Sequence, residues 1–444
     1  MFALLSFLAV IVLVVAVHEW GHYAAARFFG VRVLRFSVGF GSPLLKKTDA
    51  AGTEWVLAPI PLGGYVRLLD KHAAAELGID AGRTMEAQNN WRRFVIYAAG
   101  PLANLVLSAV ILTGVFMSGE VGLAARIGAV DEGSPAARAG LSAGETIESV
   151  NGAPAPLWSF AAAELVDAAL SGDAAEVQTD RGVYEIPAGA ATPADIESNL
   201  WRALGMHPDS GFKTQIVSVV IANSPAAAAG IRPGDVIAAV DDVVPESWRE
   251  LEEAIRARPG RAVSLILWRD GEAVSASARL ESSADGGRNI GRLGIVPWID
   301  RERLRELLAT VRLSPGEAMA RATAKTAGDM ARTFLFLRHI AGGNLSFEKN
   351  ISGPVGIAKG AGSAADAGWT VWWSFVAVIS VSLAAINLLP LPVLDGGQML
   401  ICVVQAVMRR PLPEKLAARI DRAGVALLLV LMAAAIVSDL SKLF

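Results

Sequence analysis

Val17-His18-Glu19-Trp20-Gly21-His22 lies inside the first long apolar run of the chain, Met1 to about Phe29. The pattern is H-E-x-x-H. A helix brings residues four apart onto one face, so His18 and His22 can share one metal ion. Glu19 stands beside them, where a metalloprotease keeps its general base. Two histidines and a carboxylate inside a membrane-length helix are costly in hydrocarbon and mark a functional site. The stretch therefore predicts a zinc protease whose active site lies within the bilayer. The other histidines, His72, His207 and His339, sit in polar surroundings without metal spacing and read as surface residues.

Composition sets the frame. The chain is 53% hydrophobic yet 19% charged, too apolar for a soluble multidomain protein and too charged for a purely membranous one. A net charge of −3 offers no nucleic-acid footprint. The single cysteine, Cys402, excludes an intrachain disulfide and a cysteine-rich zinc site. The N-terminal run has no basic n-region and carries H-E-x-x-H where a signal peptide would have its cleavage site, so it reads as a retained anchor.

Four membrane-length segments are predicted: 1–29, 94–117, 371–391 and 424–440. Arg27, Arg32, Arg35, Lys46, Lys47, Arg67, Lys71, Arg83, Arg92 and Arg93 crowd the stretch between the first two. Arg409, Arg410, Lys415, Arg419 and Arg422 lie between the last two. The positive-inside rule makes both stretches cytoplasmic and leaves both termini and the middle region outside. Within 30–93, a β-rich, membrane-associated segment, Val33–Leu45 and Glu54–Leu68 read as two strands of a β-hairpin around a polar turn. It is a structural hairpin or one that receives substrate as an added strand.

The middle region repeats itself at an offset of 90 residues: Ser134-Pro135-Ala136-Ala137 through Gly144-Glu145-Thr146-Ile147 recurs as Ser224-Pro225-Ala226-Ala227 through Gly234-Asp235-Val236-Ile237. Two α/β modules, 119–206 and 207–297, fit the length. Their S-P-A helix, glycine turn and G-D/E-x-I strand resemble the PDZ pattern, which implies binding of extended peptides or C-termini at a sheet edge. Residues 300–344 read as amphipathic helix, lying on the membrane surface, buttressing the modules or merely connecting.

Catalytic zinc takes three protein ligands and leaves one position open. No third ligand follows His22, and histidine is scarce, which leaves a carboxylate near another membrane segment. Asp395, in Leu391-Pro392-Val393-Leu394-Asp395-Gly396-Gly397, provides one where prolines break the third span. His18 lies about 24 Å into the first span, and Asp395 at most about 36 Å into the third, at 1.5 Å per helical residue. Both spans run inward, so the two halves of the site meet toward the cytoplasmic side.

These residues together resemble the site-2 protease family of intramembrane zinc metalloproteases, in particular bacterial members with tandem PDZ domains between spans two and three. His18, Glu19 and His22 match its H-E-x-x-H. Asn387 through Gly396 match N-x-x-P-x-P-x-L-D-G, and Ala99, Gly100, Pro101 and Asn104 match A-G-P-x-x-N. Gly39-Phe40-Gly41, Gly63-Gly64-Tyr65-Val66 and Gly353-Pro354-Val355-Gly356 match further family segments. The resemblance implies a polytopic α-helical protein of the bacterial inner membrane with four transmembrane helices, two extracytoplasmic PDZ-like domains and a membrane-associated β-hairpin. It implies Zn2+ held by His18, His22 and Asp395, Glu19 as catalytic base, and Asn387 contacting the substrate backbone or the developing oxyanion. It implies single-span substrates: an anti-sigma factor already trimmed outside the membrane, and remnant signal peptides. Two other classes compete. A PDZ membrane scaffold would need none of the ligands, and a metal transporter would need more buried ligands along a path.

Overall fold

The computed structural model describes residues 2–285, 288–343 and 353–441. The chain forms two compact units, one built from residues 1–120, 312–341 and 346–444, the other chiefly from 121–311.

In the first unit, three helices are long and apolar enough to cross a membrane among the described residues: Ala3–Phe28, Asn90–Ser118 and Trp369–Asn387. Each is predominantly apolar and helical, so most of its backbone polar groups are satisfied internally, as hydrocarbon demands. The second begins where Asn89 accepts a hydrogen bond from the Arg92 N–H, and it carries Pro101 in its interior. The third stops just short of Pro390 and Pro392, which cannot continue a helix. A 14-residue helix, Asp395–Met408, then starts at the aspartate itself. The segment expected at 424–440 lies within a longer helix, Glu414–Ser441. Phe7, Val10 and Val14 of the first helix bury against Val376 of the third and Ala361 of the helix Pro354–Ala367.

The expected hairpin is instead a four-stranded sheet. Its strands are β1 (Val33–Phe40), β2 (Leu45–Thr48), β3 (Glu54–Leu57) and β4 (Ile60–Leu68), in the order β2-β3-β1-β4. β1 pairs antiparallel with β4 but parallel with β3, while β2 and β3 form the local hairpin. The turn between β2 and β3 is held by Asp49, whose carboxylate accepts from the Thr53 N–H and the Trp55 Nε1–H. Alternation marks strands but does not say which edges meet. The stretch 41–53 is long enough for the chain to leave β1, make β2, and return so that β3 inserts alongside β1.

The helix expected over 300–344 is two helices, Arg301–Leu307 and Pro315–Ala341, separated by the strand Leu308–Val311. The strand alternates half-buried with exposed residues, a period-2 pattern too short to stand out in sequence. Residue 344 lies outside the described residues.

In the second unit the repeat has a physical basis. Ser134 and Ser224 each cap a short helix by accepting from the N–H three residues on. Glu145 and Asp235 are both buried, and each accepts a backbone N–H from the preceding turn, of Ser142 and Arg232 respectively. Helices Trp158–Ser171 and Trp248–Arg256 also start 90 residues apart. Each repeat closes with a strand that pairs back to a strand just before its capped helix: Met206–Pro208 with Ile127–Val130, and Ile295–Ile299 with Lys213–Val220. The first closing strand ends at Pro208 and the second at Ile299.

Asp235 also receives two hydrogen bonds from Arg269, both 2.7 Å, and these hold its carboxyl below the usual carboxylate range. A depressed folded pKa contributes stability above the unfolded value of about 3.9 and loses it as pH falls through the folded value. Hydrogen exchange at Ile237 and Leu265 should accelerate as pH falls below about 4, after correction for intrinsic rates. Arg269→Gln should destabilise this repeat at neutral pH by removing the guanidinium from Asp235, and should flatten the acid dependence. An unchanged acid limb in the variant would refute this.

Candidate metal centre

The first helix presents His18 and His22 on one face, and both rings turn inward. Their Nε2 atoms lie 3.3 Å apart. Asp395 Oδ2 lies 3.2 Å from Nε2 of His18 and 3.3 Å from Nε2 of His22. Three donor atoms thus form a nearly equilateral triangle. Zinc with tetrahedral bonds of about 2.0–2.2 Å sets its ligand atoms roughly 3.3–3.6 Å apart. The triangle fits. Asp395 Oδ2 is also buried without a hydrogen-bond partner, an uncompensated acceptor that a cation would satisfy. Among the described residues, this is the one cluster of His, Cys, Asp or Glu side chains with metal-binding geometry.

The ligand atoms are aimed by the second apolar helix. His22 Nδ1 lies 2.8 Å from the carbonyl oxygen of Ile96. A carbonyl only accepts, so Nδ1 carries the proton, and the neutral ring keeps a bare lone pair on Nε2. Two glycines permit the approach. A Cβ on Gly21 would strike the Ala99 carbonyl, and one on Gly100 would overlap His22 Nε2.

A cavity of about 430 Å³ opens onto the cluster. His18, Glu19, His22 and Asp395 line it, with Tyr97 from the second helix and Asn387 from the end of the third. Gly64, Tyr65 and Val66 of β4 form another wall. β4 is the outer strand of its sheet, so one of its backbone edges is unpaired within that sheet. Glu19 points into the cavity close to the Val66 backbone N–H.

The structure brings His18, Glu19, His22 and Asp395 together. Asn387 reaches the cavity wall, but its Nδ2 donates to Leu383 O of its own helix at 3.0 Å. His207 pairs with Asp131 at 2.9 Å in the second unit. His72 is exposed on the short helix Lys71–Leu77, and His339 lies on Pro315–Ala341. None of the three is in the cluster. Sequence reasoning did not single out Tyr97 or the supporting role of Gly100. Their signal was periodicity: Tyr97, Gly100, Asn104 and Ser108 recur at helical spacing as a small or polar stripe in an apolar helix.

Comparison with known proteins follows the same outline. The profile of peptidase family M50 matches residues 6–431. A Neisseria meningitidis protein whose name gives it as a zinc metalloprotease is 37% identical over the full length of both chains. The regulator of sigma-E protease RseP of Escherichia coli is 34% identical, covering 99% of this chain and 98% of its own. Its namesake from Salmonella typhimurium is also 34% identical at the same coverage. A solved PDZ domain of an SdrC-like protein from Listeria monocytogenes overlaps 19% of this chain and 88% of its own, at 22% identity and a TM-score of 0.17, too low to carry the fold.

Proposed function

The chain belongs to peptidase family M50, the site-2 family of zinc metalloproteases, and on that premise we propose that it hydrolyses peptide bonds within or beside the transmembrane segments of single-span proteins. The observation that carries the reading is the convergence of His18, His22 and Asp395 beside Glu19, the histidines and Glu19 on a helix long enough to span a membrane and Asp395 at the start of a short apolar helix that follows another.

His18, His22 and Asp395 would hold the zinc. When bound, the ion supplies Lewis-acid chemistry, acidifying water and polarising a carbonyl. The Glu19 carboxylate takes the proton of the attacking water and delivers it to the leaving amide nitrogen. An intact helix hides its carbonyls in hydrogen bonds, so the substrate must unwind first. The outer edge of β4 offers backbone groups to an extended segment, which would lie along the cavity as an added strand. Asn387 at the cavity wall contacts the substrate backbone or the developing oxyanion.

The repeats act as PDZ-like peptide binders outside the membrane. In the second, a cavity of about 510 Å³ lies between helix Trp248–Arg256 and residues 290–295. In the first, Leu200 and Leu204 are buried in the core and Trp201 packs at a tilt against Trp158, ring centroids 4.9 Å apart, at the start of the helix Trp158–Ser171. The second repeat is therefore the better receiver of an extended peptide or C-terminus. The names of the Escherichia coli and Salmonella relatives, which give regulation of sigma-E, support a substrate in sigma-factor control; the proposed substrate is an anti-sigma factor trimmed beforehand, with remnant signal peptides as a second class. The distribution of Lys and Arg supports an orientation with both termini and the repeats outside, in what we propose is the bacterial inner membrane.

The test uses the purified chain in lipid with a single-span reporter lacking its outer domain. Cleavage within the span is expected, lost on zinc chelation and restored by added zinc. Cleavage at full rate after complete zinc removal would overturn the reading.

A further inference from the structure

We propose that Asn104 is a positioning residue for His18, with its side-chain amide turned so that Oδ1 accepts the His18 Nδ1 hydrogen. The inference rests on the zinc reading above and assigns a role to a residue outside the ligand set.

Asn104 is wholly buried on the second apolar helix, within an apolar run that has no need of an amide. Its Nδ2 stands 3.4 Å from His18 Nδ1, while its Oδ1 is buried with no hydrogen-bond partner. Taken literally, this arrangement makes Nδ1 an acceptor and puts the ring proton on Nε2. That proton would then point into the triangle of ligand atoms, where no metal could bind. Amide nitrogen and oxygen have nearly the same shape, and their assignment follows from the hydrogen-bond network. Exchanging them resolves the conflict at the ring: the Nδ1 hydrogen meets an acceptor, and the position without a partner then holds Nδ2 in place of Oδ1. Oδ1 gains a donor, Nδ1 keeps the proton, and Nε2 faces Asp395 as a bare lone pair.

The result parallels His22, whose Nδ1 is fixed by the Ile96 carbonyl. Both rings are then oriented by the same helix, one through a main-chain oxygen and one through a side-chain oxygen. Asn104 is itself anchored, because its carbonyl oxygen accepts from Ser380 Oγ on the third apolar helix at 2.8 Å. The ligand on the first helix is thereby tied to the helix that leads to Asp395. Partners of this kind set ring orientation and ligand basicity in metal sites generally.

The experiment measures zinc affinity of the full chain in detergent by competition with a chromophoric chelator. Asn104→Leu keeps the shape and removes the acceptor, and it should weaken zinc binding by about 10–100-fold. Asn104→Asp keeps an oxygen acceptor and should stay within about threefold of wild type. Wild-type affinity in Asn104→Leu would overturn the proposal. Equal weakening in both variants would overturn it too, since what both lack is the amide donor and not the oxygen acceptor. A wild-type chain that binds no zinc would sink the metal reading itself, and this proposal with it.

Discussion

Glu19→Gln should lower kcat/KM for the single-span reporter by about 10³–10⁴-fold while zinc stays bound. The substitution is nearly isosteric and replaces a carboxylate, which accepts a proton, with an amide, which does not. Glu19 contributes no atom to the ligand triangle, so zinc affinity should change by no more than a small factor. A thousandfold loss corresponds to about 4 kcal/mol of transition-state stabilisation, a reasonable yield for one general acid–base group. The measurement pairs cleavage rate with zinc content on the same preparation. Zinc kept and cleavage lost separates the base from the ligands. A variant that cuts at more than about a tenth of the wild-type rate would remove Glu19 from the mechanism. Rescue of the cellular phenotype by a catalytically dead Glu19→Gln would instead favour a scaffold working through the repeats.

The candidate cluster was legible because each part of it obeys a local rule. His18 and His22 announce themselves by helical spacing, and Asp395 by scarcity, as the carboxylate placed at a proline break beside a span. The 90-residue repeat was legible because the same cap and the same buried acid recur at fixed positions. What was missed is non-local. The parallel pairing of β1 with β3 depends on which edges meet, and alternation within one strand carries no such information. The helix Asp395–Met408 is too short to register as a span and too apolar to register as a loop. The roles of Ile96 and Tyr97 needed the packing of two helices, since one acts through a main-chain carbonyl and the other as cavity wall. A main-chain acceptor has no residue-type signature at all.

Gly100→Ala should abolish tight zinc binding and, with it, cleavage. A Cβ at this position would overlap His22 Nε2 and come within 2.6 Å of His22 Cε1 and 2.9 Å of His18 Cε1. Both ligand rings would have to move, and neither has an inexpensive route. Swinging His22 aside breaks its hydrogen bond to the Ile96 carbonyl, and moving His18 disturbs its contact with Asn104. Moving the helix instead is opposed by Gly21, whose missing side chain already lets the Ala99 carbonyl in close. Intrinsic helix propensity pulls the other way, since alanine is favoured over glycine by about 1 kcal/mol in a helix interior. The helix should therefore stay formed while the metal site fails. The expected drop in zinc affinity is about 100-fold or more, at or beyond the upper end of what losing a supporting contact costs, because the ligand atoms themselves are displaced. Gly114→Ala is the control in the same helix. A Cβ there meets no atom within 4 Å, so it should leave zinc affinity and cleavage unchanged. If Gly100→Ala bound zinc as tightly as Gly114→Ala, the two imidazoles could not lie against the second apolar helix as described, and the ligand triangle would have to be rebuilt.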